Sequence, residues 1–189
     1  MKKVLVGFSG GLDSTAVAII LKDKGYDVTL GHLDWSTDKD EVFRNLEKNA
    51  SHSISEYLGL PLIRLAKIDT DSQNGAAFSW VQCAFSMVFW QASYPAMSYD
   101  AVAFGNRLIK HPGVWQNAEY HRKVAESLAK LTNYEGEILF PVGEMKRKEL
   151  WYLLDSKLKE MIWCCNSPDY DGNPCGKCNK CEIDKEFRK

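Results

Sequence analysis

The sequence predicts an α/β protein with a doubly wound, mostly parallel five-stranded sheet, helices covering both faces. Three observations carry this. Short apolar runs alternate with segments of helical period along most of the chain, and parallel neighbours require such crossovers. The glycine pair Gly10-Gly11 falls between the first apolar run and the first helical pattern, where a sheet of this class presents a ligand. The length of 189 residues and the hydrophobic fraction of 45% suit one substantial core.

In order, Val4 to Phe8 reads as a strand and Leu12 to Lys24 as a helix stopped by Gly25. Asp27 to Leu33 is a second strand, Asp40 to Leu58 a helix, Pro61 to Ala66 a third strand and Ala76 to about Ser93 a helix. Ala101 to Gly105 and Glu137 to Phe140 complete the strands, with helices at Asn117 to Leu131 and Met145 to Leu158. Ligand-binding loops are therefore expected at Ser9 to Ser14, Asp34 to Asp38, Lys67 to Gly75 and Asn106 to Gln116. Beyond Ile162 cysteine, proline, asparagine and glycine take over. We divide the chain into an α/β domain, residues 1–162, and a cysteine-rich tail, residues 163–189, packed on it.

The formal net charge of -1 supplies no basic field for a nucleic-acid backbone, so small-molecule chemistry is the starting expectation and no nucleic acid is expected. The N-terminal apolar run is too short for a signal peptide, and Ala76 to Met97 is interrupted by Ser79, Gln82, Ser86, Gln91 and Ser93. A cytoplasmic protein without a membrane span is expected.

The loop Ser9-Gly10-Gly11-Leu12-Asp13-Ser14 carries the most specific chemistry. Two glycines let a backbone approach an anion, and the start of the following helix favours negative charge. Ser9, Ser14 and Thr15 add hydroxyl donors for phosphate oxygens, and Asp13 makes sense beside phosphate if magnesium lies between them. The pattern is neither a P-loop nor GxGxxG. Asn106, Arg107, Lys110 and His111 follow the fourth strand as candidates for holding phosphate or an acyl-adenylate, and Trp115 is a candidate stacking platform. His32, inside a strand, and Cys83, inside an apolar helix, read as core.

Five of the six cysteines lie between Cys164 and Cys181. Cys175, Cys178 and Cys181 form a double CxxC, and four thiolates suit tetrahedral zinc with every protein position filled, hence a structural metal. Cys164 or Cys165 supplies the fourth ligand, and we assign Cys165; an iron–sulfur cluster is the alternative occupant.

The glycine loop resembles the pyrophosphate-binding loop of the ATP-pyrophosphatase (N-type, PP-loop) superfamily, whose fold is adenine nucleotide alpha-hydrolase-like. Joined to Cys165, Cys175, Cys178 and Cys181, with Trp163 two residues before the first of them and Met145-Lys146-Arg147-Lys148-Glu149-Leu150 opening a late helix, it resembles the 7-cyano-7-deazaguanine (preQ0) synthase family of queuosine biosynthesis. The resemblance implies an ATP-dependent C–N ligase. Such an enzyme adenylates the carboxylate of 7-carboxy-7-deazaguanine, forms the amide with ammonia, and dehydrates it to the nitrile with release of AMP and pyrophosphate. It implies nucleotide-binding roles for Phe8, Ser9, Gly10, Gly11, Leu12, Asp13, Ser14, Thr15, Asp34 and Arg147, with Ser9, Asp13 and Ser14 as catalytic candidates. ATP, Mg2+ and structural Zn2+ are the implied cofactors, and a homodimer the implied assembly.

The middle of the chain departs from that family. Asp34-Trp35-Ser36-Thr37 stands where the family has Asp-Tyr-Gly-Gln, and Trp80-Val81-Gln82-Cys83 where it has Pro-Gly-Arg-Asn. Val114 to Glu119 lacks both charges of the family's aromatic-Pro-Asp-x-Arg. These stretches are expected to line the acceptor pocket, and Trp80, Gln82 and Trp115 from them, with Asn106 and Arg107 after the fourth strand, are the candidate acceptor-binding residues. They leave open a variant that stops at the amide or adenylates another carboxylate, a non-catalytic ATP-binding partner protein, and a sulfur-transferring, tRNA-modifying relative.

Overall fold

The computed structural model describes residues 1–36, 41–69, 99–107, 118–165 and 167–187. Five strands form one sheet: β1 (Lys3–Gly7), β2 (Asp27–Ser36), β3 (Leu62–Asp69), β4 (Ala101–Ala103) and β5 (Glu137–Leu139). Their order is β3-β2-β1-β4-β5, and every pairing is parallel. Six helices accompany them among the described residues: α1 (Leu12–Asp23), α2 (Glu41–Leu58), α3 (Ala118–Thr132), α4 (Arg147–Leu153), α5 (Ser156–Met161) and α6 (Asn179–Phe187). None of them is long and apolar enough to cross a membrane.

Strand periodicity sends alternate residues of β1 to opposite faces. Val4 and Val6 join a core built with Ala16, Val17, Leu21, Ile54, Leu150 and Leu158, whereas Leu5 joins Val102, Phe104 and Leu128 on the other face. All three β1 side chains are fully buried, each stabilising the fold by about 1.5–3 kcal/mol. β1 thus anchors both cores and lies in the middle of the sheet. Gly31 of the neighbouring β2 makes room on one sheet face for the side chains of Leu65 and Leu5, since a Cβ there would stand 2.7 Å from Leu65 Cδ1 and 3.0 Å from Leu5 Cδ1.

The strand order reverses between β1 and β4, the switch point at which open parallel sheets form a crevice beyond the strand ends. The Ser9 to Ser14 loop leaves β1 on one side of that crevice, and Phe104 to Arg107 leaves β4 on the other.

Several boundaries differ from the sequence expectation. β2 and β3 run on to Ser36 and Asp69, past a register shift between His32 and Leu33, so Asp34 pairs with Lys67 inside a strand instead of opening a loop. The ladder is a backbone bond and continues past the apolar run that marks it in sequence. β4 is shorter than expected and ends at Ala103. The single helix expected from Met145 to Leu158 is two, because Leu154 is extended and Asp155 caps α5 by accepting the Leu158 N–H at 2.8 Å. The tail carries a helix, α6, in addition to its turns. The helix expected at Ala76 to Ser93, with Trp80, Gln82 and Cys83, lies outside the described residues, as do Lys110, His111 and Trp115.

Asp155 also accepts the Tyr57 hydroxyl at 2.8 Å, tying α5 to α2, and these bonds hold its carboxyl below the usual range. Asp155→Ala is expected to destabilise the fold by about 1 kcal/mol, the usual loss of an N-cap. Because the folded-state pKa is depressed, the wild-type advantage is present near neutrality and fades as acid protonates Asp155. Urea unfolding of both proteins at neutral and acidic pH measures it.

Candidate functional site

The loop after β1 is shaped by contacts on every side. Gly10 has φ +74, and a Cβ on it would stand 2.7 Å from the Ser51 backbone nitrogen and 3.0 Å from Ala50 Cβ, so α2 packs directly onto it. The Gly10 carbonyl accepts the Trp163 N–H at 3.1 Å. Gly11 is the N-cap of α1, which no side chain caps. Its carbonyl accepts the Thr15 N–H at 3.0 Å, the Thr15 hydroxyl at 2.8 Å and the Ser14 hydroxyl at 3.2 Å. Ser14 Oγ lies 3.4 Å from both the Ser9 nitrogen and Ser9 Oγ.

The predicted loop residues therefore divide. Phe8, Leu12 and Thr15 turn inward and are buried, with the Thr15 hydroxyl spent on the loop itself. Ser9 is exposed, Gly11 and Asp13 are partly exposed, and Ser14 is buried beneath them. Beneath the loop His32 is buried and donates its Nδ1–H to the Phe8 carbonyl at 2.9 Å, with Ser51 Oγ 3.3 Å from the same nitrogen. His32 thus fixes the end of β1 from below.

Two other elements converge on Asp13 of α1. Arg107, beyond β4, places Nε 3.2 Å from Oδ1, and Arg147, the first residue of α4, places Nη2 3.9 Å from Oδ2. The Arg107 approach is ionic without hydrogen-bond geometry, which leaves Asp13 Oδ1 buried and without a hydrogen bond. Arg147 Nε and Trp163 Nε1 share that condition. Buried polar atoms in native structures are nearly always bonded, and of the four exceptions among the described residues these three belong to the loop and its neighbours. Arg147 Nε and Trp163 Nε1 are donors that fit an anionic ligand, whereas Asp13 Oδ1 is an acceptor that fits a cation.

Gly105 was not singled out by sequence. A Cβ there would stand 3.0 Å from the Asp13 carbonyl carbon and from the Ser14 nitrogen, so the chain leaving β4 crosses directly over the start of α1. Its signal is a glycine just past a short strand at the switch point. Glu47 was missed for a different reason. It reads as the charged face of an amphipathic helix, yet burial pushes its carboxyl up to about 7 while Lys180 of α6 pulls the other way. Asn106 is described beside Arg107 at the crevice, and the side chain of Asp34 is outside the described atoms.

In the tail, Cys165, Cys175, Cys178 and Cys181 bring their sulfurs within 4.8 Å of one another, and Cys164 is not of the group. Sulfurs on one tetrahedral ion at about 2.3 Å lie about 3.8 Å apart, so the cluster fits a single metal ion. Backbone N–H groups point at the sulfurs, Cys175 N onto Cys165 at 3.3 Å and Cys178 N onto Cys175 at 3.4 Å. Burial pushes the Cys165 and Cys181 thiols up, the latter to about 12, whereas the Lys177 and Cys178 N–H groups pull Cys175 down. Cys164 instead lines a cavity with Leu12, Arg147 and Lys180, its thiol also raised by burial.

The model of the tRNA methyl transferase HUP domain family matches residues 2–69. The chain is 31% identical to 7-cyano-7-deazaguanine synthase 2 of Sulfurisphaera tokodaii, over 98% of this chain and 45% of that protein. It is 33% identical to the 7-cyano-7-deazaguanine synthase of Saccharolobus solfataricus, over 97% of this chain and 44% of that one. The chain thus spans slightly less than half the length of these relatives. A 62-residue stretch is 40% identical to the tRNA-specific 2-thiouridylase of Coxiella burnetii, covering 31% of this chain and 17% of that protein. Among solved structures, a 4-thiouridine synthetase in complex with RNA and ATP superposes with a TM-score of 0.59 at 14% identity, over 99% of this chain and 50% of the other. A U34-tRNA thiolase from Methanococcus maripaludis with its [4Fe-4S] cluster gives 0.53 at 16%, over 98% and 65%. These two likenesses establish the fold.

Gly105→Ala is expected to weaken binding of a non-hydrolysable ATP analogue by about tenfold, because the added methyl displaces the Asp13–Ser14 peptide; calorimetric titration checks it. Since all four ligand thiols must lose protons to bind metal, a metal held there should be released on acidification below about pH 6, which a chromogenic metal indicator reports.

Proposed function

From a chain related along nearly its whole length to the 7-cyano-7-deazaguanine synthases, we propose an ATP-dependent C–N ligase of the same kind. In this reading, residues 1–162 bind ATP and residues 163–189 are the metal-stapled tail. The observation that carries the reading is the meeting of Asp13, Arg107 and Arg147, from three elements, at the switch point beside the glycine loop.

ATP lies with its phosphates over Ser9 to Ser14, where Gly11 leaves the backbone partly exposed and Ser9 offers a hydroxyl. The start of α1, together with Arg107 and Arg147, supplies positive potential for the triphosphate. A carboxylate oxygen of 7-carboxy-7-deazaguanine attacks the α-phosphorus in line, and pyrophosphate departs. Ammonia then adds to the acyl carbon, AMP leaves with the electron pair, and the amide results. A second adenylation, at the amide oxygen, followed by loss of AMP and a proton gives the nitrile. Ser14 holds the Ser9 end of the loop in place through these steps. Asp13 is an oxygen ligand suited to magnesium arriving with the phosphates, a cation that would neutralise the charge building on the departing pyrophosphate. We assign zinc to the cysteine cluster, where the four thiolates fill its coordination and leave a structural role.

We assign acceptor recognition to Asn106 and Arg107 and, from the sequence alone, to Trp80, Gln82 and Trp115, whose stretches differ from the usual residues of the family. A pocket changed in this way selects between 7-carboxy-7-deazaguanine and another planar acid, and between stopping at amide and continuing to nitrile. Sulfur transfer to tRNA is the second reading, favoured by the match to the 2-thiouridylase. It requires a reactive thiol, whereas burial raises Cys164 and the other four described cysteines converge on one cluster.

Incubation with ATP, magnesium, ammonium and 7-carboxy-7-deazaguanine is expected to yield AMP, pyrophosphate and a product one or two dehydrations lighter than the ammonium salt of the acid, read by mass spectrometry. Asp13→Asn should lower the rate by at least about a hundredfold, the scale of an electrostatic catalytic group. Nucleotide binding without AMP formation would redirect the search to other carboxylates, and metal analysis with an absorption spectrum separates zinc from an iron–sulfur cluster.

A further inference from the structure

We infer that the cysteine cluster positions the nucleotide loop through a three-residue strap, Trp163-Cys164-Cys165. Each residue of the strap meets a different part of the site. The Trp163 N–H donates to the Gly10 carbonyl at 3.1 Å, and the Trp163 carbonyl lies 3.5 Å from where a Gly11 Cβ would be. Cys164 lines the cavity shared with Leu12 and Arg147. Cys165 is buried in the four-cysteine cluster.

The strap has no slack. Immediately before it, Ile162 is buried and ends α5, its own N–H bonded to the Leu158 carbonyl at 3.0 Å. Fixing Cys165 in the cluster and Ile162 in the core therefore fixes the Trp163 peptide between them. That peptide bears on two glycines, the residues with most conformational freedom to lose. Ala50 and Ser51 pack against the Gly10 Cα, and the strap holds its carbonyl. Trp163 is a positioning residue, acting on the ligand through Gly10. The consequence for ligand binding rests on the nucleotide reading of the loop, whereas the coupling itself does not.

Amide hydrogen exchange, followed by mass spectrometry on metal-loaded and chelator-stripped protein, reads the coupling without any ligand. Peptides covering residues 8–14 are expected to exchange about tenfold faster once metal is removed, with residues 3–7 unchanged. Trp163→Pro deletes the donated N–H and is compatible with the extended Ile162, ψ 138. It should reproduce the faster exchange with the metal still bound, whereas Trp163→Phe, which keeps the N–H, should not. Titration with a non-hydrolysable ATP analogue should show a parallel loss of about tenfold in affinity for the stripped protein and for Trp163→Pro. Unchanged protection of residues 8–14 in metal-bound Trp163→Pro, or in stripped protein that retains its sheet, overturns the inference. If wild-type protein binds no analogue, the nucleotide reading fails, and the exchange result still decides the strap.

Discussion

At Gly10 three backbones meet with no side chain between them, and the site is arranged around that meeting. β1 delivers the chain to the carboxyl edge of the sheet, the left-handed turn at Gly10 redirects it, and α2 and the Trp163 peptide press on it from two sides. Any Cβ there would collide with the Ser51 backbone, a contact that no rotamer change relieves. The close approach is what lets α1 begin at Leu12 and puts Asp13 into the crevice between β1 and β4. His32, bonded to the Phe8 carbonyl, secures the strand end from which the turn departs.

The charges in the crevice differ in how readily they can be redirected. Asp13 and Arg107 are each 31% exposed, and ion pairs in that setting contribute about 0–1 kcal/mol. A ligand phosphate can therefore recruit Arg107 at small cost. Arg147 is more deeply placed, 14% exposed, and its Nε is buried without a hydrogen bond. An unsatisfied buried group of this kind costs about 1–3 kcal/mol, which an anion reaching it would recover. The crevice is thus loosely paired on the Arg107 side and more fixed on the Arg147 side.

The fold was legible because its signals are local. Gly10-Gly11 after an all-apolar run, and the alternation of Val4, Leu5 and Val6, follow from strand and turn chemistry within a few residues. The break at Leu154 and Asp155 was missed because apolar periodicity runs across it, while one aspartate cap decides it. The loop and the cysteine spacing stood out in sequence for the same reason of proximity. Gly105 against Asp13, and Glu47 near Lys180, arise from contacts between residues far apart in the chain, which no window of sequence displays. Asp13 could be read as a phosphate-side carboxylate, but its convergence with Arg107 and Arg147 required the sheet order.

The tail explains why a metal cluster stands where a hydrophobic core would ordinarily suffice. Among the residues beyond Ile162 whose side chains are described, only Cys165 and Cys181 are buried, and the apolar docking of α6 includes a stack of Phe187 on Trp151 at 5.8 Å between ring centroids. So little buried apolar surface cannot offset the entropy of ordering more than twenty residues, at about 1–2 kcal/mol each for the backbone. Cross-links must supply the difference, and the fitted metal site is the cross-link this sequence offers. Because the first metal-cluster cysteine lies two residues beyond the peptide that grips Gly10, order in the tail and order in the loop are held by the same bonds.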